Sequence, residues 1–446
     1  MLERSKMADL VVSSNLSLNY SDLMKEIFND HAARIREIDL HGLQAPLLSS
    51  IIENVQPSSL HLRSLRLSLE NDWMGDGYDS QFPVFPSHLL VQPDILRRLV
   101  IVHCAFDLYA QPRPQLTHLK IVSPRDRPLL SEFATALSGM PALESLEMVR
   151  SLPLAAKAVK LDVKVELPKL SLLYMSSKEN FFEVLNVIDF LIVPWTATID
   201  LVNASQPFIS DIVSPLRLFF SCMTGNIERR SYNRLRLCNS EYGLCLSAWR
   251  IEQPHSSTTD PADLVLMPKF DRHRSASSVE EILRCLPLFD LKTLLIDIGF
   301  GQPAIHSFFG QSTTIQTVEL QSNAVVYDFL QVLTHKPEGY ERSESSYYSV
   351  SFPALQSLIF NQTRFNAFGY LLDCLMERYE RGAGLQTLSF YMCYDLSHEN
   401  MQQLREIVPD VEWDEVLLTE ELDYDCEDYG DYDDSSDEPE YDLDYM

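Results

Sequence analysis

The residues best suited to chemistry are thinly spread along this chain. Eight cysteines occur with no CxxC pair and no paired spacing of the kind that holds a metal ion. Cys104, Cys285 and Cys374 sit inside apolar runs, where a small buried hydrophobe is the ordinary role. Such cysteine usage fits a reducing compartment, cytoplasmic or nuclear. Eleven histidines are equally scattered, with no HExxH and no Cys/His cluster. His103 and His118 fall on strand-like runs and read as solvated or hydrogen-bonded structural residues. The run GFGQ at Gly299–Gln302 follows a strand-like stretch and invites comparison with a phosphate loop. It lacks the third glycine, the Lys and the Ser/Thr that would hold phosphate, so it reads as a turn. No Ser/His/Asp or paired-carboxylate spacing stands out. The expectation is a chain without catalytic residues, without a metal and without a cofactor.

What the sequence does repeat is apolar spacing. Leu96–Cys104 reads LRRLVIVHC, and LRSLRL, LTHLKI and LESLEM echo its first steps. Side chains two apart on a strand share a face, whereas those three apart oppose each other. Leu99 and Ile101 therefore share a buried face with Leu96 only if the chain bends into the strand after Leu96. It must bend out again before Cys104. A short strand between two turns, with its apolar residues converging, is the leucine-rich-repeat unit LxxLxLxxN/C.

The bare motif is common in a chain this apolar, so spacing and context must carry the reading. Good copies begin at Ile35, Leu62, Leu96, Leu116, Leu143 and Leu170, at intervals of 27, 34, 20, 27 and 27 residues. Later copies at Leu291, Ile315, Leu355 and Leu385 are spaced 24, 40 and 30 residues. Amphipathic segments alternate with them: PLLSEFATAL, NFFEVLNVIDFL, VVYDFLQVL and FNAFGYLLDCLMERY. Strand then helix at this beat predicts parallel strands joined by crossovers. The predicted fold is α/β, an irregular leucine-rich-repeat solenoid with a parallel concave sheet and a disordered acidic tail.

The organisation expected is a lead-in with a capping helix over 1–34 and a first repeat block over 35–251. A Ser/Thr/Pro/Asp-rich surface loop over 252–278 precedes a second block over 279–412, and an acidic tail covers 413–446. SDLMKEIFNDHAARI reads as a helix with Ser21 at its N-cap, and SHENMQQLREIVPD as the last ordered element. KPEGYERSESSYYSVS, over 336–351, reads as a second exposed excursion.

Charge sharpens this division. The net charge is −28, yet 410–446 holds eighteen Asp and Glu and no Lys or Arg. Residues 1–409 keep 46 acids against 36 bases, a net of −10. That field argues against nucleic acid and anionic lipid as partners. FFEVLNVIDFLIVPW is broken by Glu183 and Asp189 and stops at Pro194, too short and too charged to span a bilayer. The N-terminus lacks the apolar region of a signal peptide. The serines of RHRSASS (272–278) and SSDEPE (435–440) are candidate phosphorylation positions, each adding about −2 charges.

Taken together, HAARIREIDLHG, APLLSSIIENVQPSSLHLRSLRLSL, QLTHLKI, MPALESLEM, LPKLSLLYM, VPWTATIDL and LCLSAWRIE follow one another in an order that resembles the F-box and leucine-rich-repeat proteins of mushroom-forming fungi. The resemblance covers roughly residues 1–410. It implies a right-handed αβ solenoid whose repeats choose a protein substrate, while an N-terminal F-box docks on the Skp subunit of a cullin–RING ubiquitin ligase. The opening MLERSKMADLVVSSNLSL resembles the segment that follows the box, so the box itself is expected to be absent. A Skp-type subunit is then a partner only if an upstream F-box exists. A different expectation is a repeat scaffold resembling the acidic leucine-rich nuclear phosphoproteins, whose tail engages basic proteins such as histones.

Under the repeat reading, the polar positions beside the strand leucines face a protein partner. They are Arg66, Lys120, Glu147, Tyr174, Asp200, Arg236, Asp297, Glu319 and Tyr391. Their signs are mixed, so no ligand of a single charge is indicated.

Overall fold

Alternation of large apolar and polar residues makes a strand with one dry face, and such strands must associate to satisfy their backbone groups. In this protein most of them do so in one sheet, while Val84–Phe85 pairs with Ala105–Phe106 and Val165–Glu166 with Leu191–Ile192 in two short sheets of their own. The computed structural model describes residues 8–15, 26–27, 30–43, 61–69, 84–85, 95–106, 112–124, 127–154, 161–177, 181–203, 209–225, 230–240, 243–251, 261–267, 275–299, 302–334, 350–365 and 368–415. Among these, sixteen strands form a single, mostly parallel sheet accompanied by eight helices.

The first eight strands lie side by side in chain order: Leu10–Asn15, Ile35–Leu43, Ser64–Leu69, Arg98–Val102, His118–Val122, Ser145–Val149, Leu172–Ser177 and Thr198–Asn203. Each is parallel to the next. Five more do the same at the far end: Thr293–Ile296, Thr317–Leu320, Ser357–Asn361, Thr387–Tyr391 and Asp410–Trp413. Between the two runs, three strands are inserted in reverse order. Leu264–Met267 pairs with Thr198–Asn203, Gly243–Trp249 follows, and Arg234–Ser240 pairs with Thr293–Ile296. The middle strand of this inset runs antiparallel to both of its neighbours.

The register keeps the apolar side chains in rows. Leu65, Leu99, Leu119, Leu146, Leu173 and Ile199 align across six strands, and all are buried. They join the apolar sides of the helices in one continuous core. The helices Leu130–Ser138, Phe181–Phe190, Asn323–Thr334 and Phe368–Glu380 form where their sequences repeat apolar residues three and four apart. His398–Arg405 is capped by Ser397, whose hydroxyl accepts from the Asn400 N–H at 3.2 Å.

Each end of LxxLxL behaves as its spacing requires. Ile35, Leu62, Leu96, Leu116, Leu143, Leu170, Leu291, Ile315, Leu355 and Leu385 are all buried. After the strand the chain turns out through a left-handed residue: His103 at φ +56°, Ser123 at +44°, Arg150 at +52°, Gln362 at +54° and Met392 at +50°. The next residue often drops back into the interior, as Cys104, Ser151, Thr363 and Cys393 do. Ser151 Oγ donates to the Ile121 carbonyl at 3.0 Å, and Cys393 Sγ to the Phe360 carbonyl at 3.4 Å. Small residues that can donate are used here because a strand-end carbonyl would otherwise be buried without a partner.

Several boundaries differ from those expected. The lead-in over 1–34 contains the strand Leu10–Asn15, which pairs with Ile35–Leu43, and a 3-10 turn at Ala32–Arg34. Residues 21–25 and 28–29 of the expected capping helix, Ser21 among them, lie outside the described residues. The stretch 252–278, expected as a surface loop, includes the strand Leu264–Met267 and the start of the helix Ser275–Leu283. Leu264 and Leu266 alternate with Val265 and Met267, and that short pattern suffices once a neighbouring strand edge is open. The sheet consequently runs on from the first block to the second. The last strand, Asp410–Trp413, crosses the boundary expected at residue 413. Residues 416–446, the bulk of the acidic tail, lie outside the described residues, as do 336–349 and the serines of SSDEPE.

One buried ion pair ties a helix to its strand. Arg127 Nη1 lies 2.6 Å from Glu183 Oε1, and Ser177 Oγ donates to Glu183 Oε2 at 2.7 Å. The Glu183 side chain is 2% exposed. Among the described residues, no helix is long and apolar enough to cross a membrane.

Candidate functional site

The residues that alternate with the core leucines point to the other face of the sheet, where most are half-buried or exposed while Val100, Leu295 and Ser389 are buried. Pairing sets them in rows. The central row begins Asp39, Arg66, Val100, Lys120, Glu147, Tyr174, Asp200 and Val265. It continues through Ser247, Arg236, Leu295, Glu319, Ile359, Ser389 and Glu412. Seven of the nine expected site residues stand in this row: Arg66, Lys120, Glu147, Tyr174, Asp200, Arg236 and Glu319. Asp297 and Tyr391 do not. Each lies two residues beyond the central-row position of its own segment, Leu295 and Ser389, so they belong to the adjacent row with Asn361. Position 295 carries an apolar residue, so the polar side chain of that segment stands two places on, at Asp297, on the same face.

The row is not one site but several local groups. At its start Arg66 Nε is 3.7 Å from Asp39 Oδ1, which His41 Nε2 also meets at 2.7 Å. Lys120 Nζ and Glu147 Oε2 are 2.5 Å apart across adjacent strands. Further along, Glu319 Oε1 accepts from Gln321 Nε2 at 2.6 Å and from Asn361 Nδ2 at 3.2 Å. At the last strands Tyr391 Oη donates to Glu412 Oε2 at 2.8 Å, and Ser389 Oγ donates to the same oxygen at 3.2 Å. That bond holds the Tyr391 proton and moves its pKa up.

Strongly perturbed groups gather in the antiparallel inset and on the strands that flank it. Asp200 and Asp297 both have raised pKa values, in each case chiefly because burial disfavours the carboxylate. Asp200 Oδ1 and Arg236 Nε are buried with no hydrogen-bond partner among the described residues. Arg236 Nη2 donates to Gln321 Oε1 at 3.3 Å, reaching across two strands. Cys238 and Cys245 stand directly opposite each other on the hairpin, with Cys245 Sγ 3.6 Å from Ser247 Oγ. Asp200, Arg236 and Asp297 were expected from the sequence. The two cysteines were not, because only the hairpin's reversal brings positions 238 and 245 face to face. The signal available was the pair of alternating runs RLRLCNS and GLCLSAW with a short gap between them.

His103, set aside above as structural, is half-buried at a strand end, and burial moves its pKa down. His118 accompanies Thr117, whose Oγ1 lies 2.8 Å from His118 Nδ1. Among the described residues, no three His, Cys, Asp or Glu side chains converge as metal ligands would. What the face offers is a long band of mixed charges, amides and tyrosines on a rigid support. Comparison with protein-family models and with curated proteins finds no match for this chain.

Proposed function

We propose that the chain is a non-catalytic protein-binding module. In this reading its strand–helix units are irregular leucine-rich repeats stacked as a solenoid, and the open face of the sheet is the concave wall that receives a protein partner. The observation that carries the reading is the central row, in which polar and charged side chains from many successive strands stand in register on the face opposite the one that shares the core with the helices. Solenoids present such extended faces to macromolecules, and a parallel ladder holds the side chains at fixed spacing. Arg66, Lys120, Glu147, Tyr174, Asp200, Arg236, Asp297, Glu319 and Tyr391 are the proposed contact residues.

The resemblance to the F-box family makes the partner a protein substrate held for ubiquitination, with a Skp-type subunit joining only through an upstream F-box. Two measurements test this. The transcript upstream of Met1 should encode an F-box, and the product should then co-purify with a Skp subunit. Absence of both removes the adaptor role. Charge reversal at Lys120 together with Arg236 should abolish capture of the partner while the melting temperature holds. Unchanged capture removes the open face as the docking surface.

A second reading is favoured by one observation, the eighteen acids without a base over 410–446. It makes the chain a scaffold whose tail binds basic proteins such as histones. Deleting 416–446 should abolish histone binding in 150 mM salt, and retained binding rejects it.

A further inference from the structure

We propose that Cys238 and Cys245 form a reversible dithiol–disulfide switch on the open face of the sheet, closed by a peroxide and reopened by a thiol reductant. The inference stands apart from the protein-binding reading, since it rests on the hairpin and not on any partner.

The geometry begins with register. Arg234–Ser240 and Gly243–Trp249 form an antiparallel hairpin in which Cys238 pairs with Cys245 and Ser240 with Gly243. The Leu237 carbonyl points outward and accepts from the Asp297 N–H at 2.8 Å. Cys238, the next residue, therefore turns its backbone groups toward the hairpin partner, which makes Cys238–Cys245 a hydrogen-bonded pair. Cα atoms in such a pair are about 5.5 Å apart. Disulfides span Cα separations of about 4.4–6.8 Å. The Cα spacing suits the bridge, but Cβ atoms of a hydrogen-bonded pair stand toward the wide end of about 4.5–5.5 Å, against about 3.5–4.5 Å in a disulfide. Closure therefore draws the two strands together and leaves the bond strained.

Both sulfurs lie on the same side. Leu235, Leu237, Leu246 and Ala248 face the core, so the intervening Cys238 and Cys245 face away from it. Cys245 is 6% exposed yet stands outside the main hydrophobic core, and Cys238 is half-exposed. The other buried cysteines, Cys104, Cys285, Cys374 and Cys393, belong to that core. Burial moves the thiol pKa up at Cys285, Cys374 and Cys393. The hairpin pair behaves otherwise. The two sulfurs interact closely enough to share one proton, and the Arg236 guanidinium favours a negative charge on either. The pair therefore loses its first proton more readily than an ordinary thiol, with Cys245 brought down to about 6.

The chemistry balances with one peroxide. The pair carries one proton and one negative charge. Cys238, the more exposed sulfur, first passes the shared proton to Cys245 and then attacks a peroxide oxygen as the thiolate. The O–O bond breaks, leaving a sulfenic acid and hydroxide, and the hydroxide takes the Cys245 proton to give water. The Cys245 sulfur then attacks the sulfenic sulfur, the S–S bond forms, the S–O bond breaks and a second hydroxide leaves. Two thiols are oxidised by two electrons and one peroxide is reduced. A disulfide across a hydrogen-bonded pair next to open solvent is the kind that reductants reopen.

Trypsin supplies the test, since the peptide Leu237–Arg250 contains both cysteines and no internal Lys or Arg. The folded full chain would be exposed at pH 7 to graded hydrogen peroxide, unfolded in N-ethylmaleimide, digested and weighed. The expected result is that this peptide loses two hydrogens and takes up no maleimide at peroxide levels that leave Cys222 alkylated. Dithiothreitol before alkylation should restore two maleimides. In the Cys245→Ser chain the bridge cannot form, and Cys238 should accumulate as sulfenic or sulfinic acid. The proposal is overturned if the peptide keeps both maleimides when Cys222 is already oxidised. Separate oxygen adducts on the two sulfurs without the hydrogen loss overturn it equally.

Discussion

The parallel run that ends at Thr198–Asn203 and the inset that follows it are built from the same phrase, yet they differ in direction and in chemistry. Leu-x-Leu recurs as Leu65–Leu67 in the first and as Leu235–Leu237, Leu244–Leu246 and Leu264–Leu266 in the second, and all eight residues are buried. Alternation is blind to direction, because a strand read backward buries the same face. Direction is decided by the connection. A parallel neighbour needs a crossover of a dozen or more residues, whereas two residues suffice between Ser240 and Gly243. The same difference governs the open face. In the parallel run, long charged side chains meet across strands, as Lys120 and Glu147 do. In the inset, shorter polar groups and thiols, Ser247, Cys238 and Cys245, are crowded beside Arg236.

The largest effect that would break the comparison lies under the parallel run. Glu183→Ala should destabilise the protein by about 3–5 kcal/mol, because it leaves Arg127 buried beside a missing charge. Urea titration of the single variants and of Glu183→Ala with Arg127→Ala would measure it. The double variant should recover part of the loss, and strict additivity would show that the pair does not act as one.

A smaller loss is expected at the inset's own ion pair. Arg250 joins Asp263 through its guanidinium, and its backbone N–H donates to Asp263 Oδ2 at 2.7 Å. This fastens the end of Gly243–Trp249 to the start of Leu264–Met267. With 16% and 25% of these side chains exposed, water screens the site in part. Asp263→Ala should cost about 1.5–3 kcal/mol in the same titration. A loss as large as that of Glu183→Ala would mean that the inset, and not the parallel run, limits stability.

Much of this was legible beforehand because leucine spacing reports burial directly. Ten expected repeat starts are buried, and the four amphipathic segments quoted for the repeats fold as helices. Leu10–Asn15 and Asp410–Trp413 were missed because edge strands need fewer apolar residues to be held. The inset was missed because strand order depends on which edge a hairpin finds open, and no local pattern encodes that. Site positions followed the same division. Lys120 and Glu147 fall where a Leu-x-Leu frame puts them, but Asp297 is a row away because Leu295 occupies the frame position. Cys238 and Cys245 became neighbours only through the turn.

Protonation gives a third and gentler probe, at the seam where Asp200 of the parallel run pairs with Val265 of the inset. Burial raises the pKa of Asp200, so the folded state holds that proton to higher pH than the unfolded chain does. Over the window between the two pKa values the native state binds more protons, and stability therefore falls as pH rises. Above the window the full penalty persists. Asp200→Asn should consequently raise the melting temperature at pH 7. Its advantage should shrink as pH falls toward the ordinary carboxylate range of about 4. An advantage that grows on acidification would reverse the assigned cause.

The weakest interaction tests the parallel run itself. Lys120 and Glu147 are neighbours across adjacent strands, with side chains 39% and 28% exposed. Solvent screening and the entropy of fixing a long lysine offset most of the Coulomb attraction at such a site. A double-mutant cycle to alanine should return a coupling of about 0.2–1 kcal/mol, falling further in 1 M salt. The rigid ladder beneath does not change this, because backbone order fixes where the side chains begin and not how well water competes at their tips. A coupling above about 2 kcal/mol would mean that the pair is desolvated like Arg127–Glu183. The open face would then be covered in the free protein, and its mixed charges would be serving the fold in place of a partner.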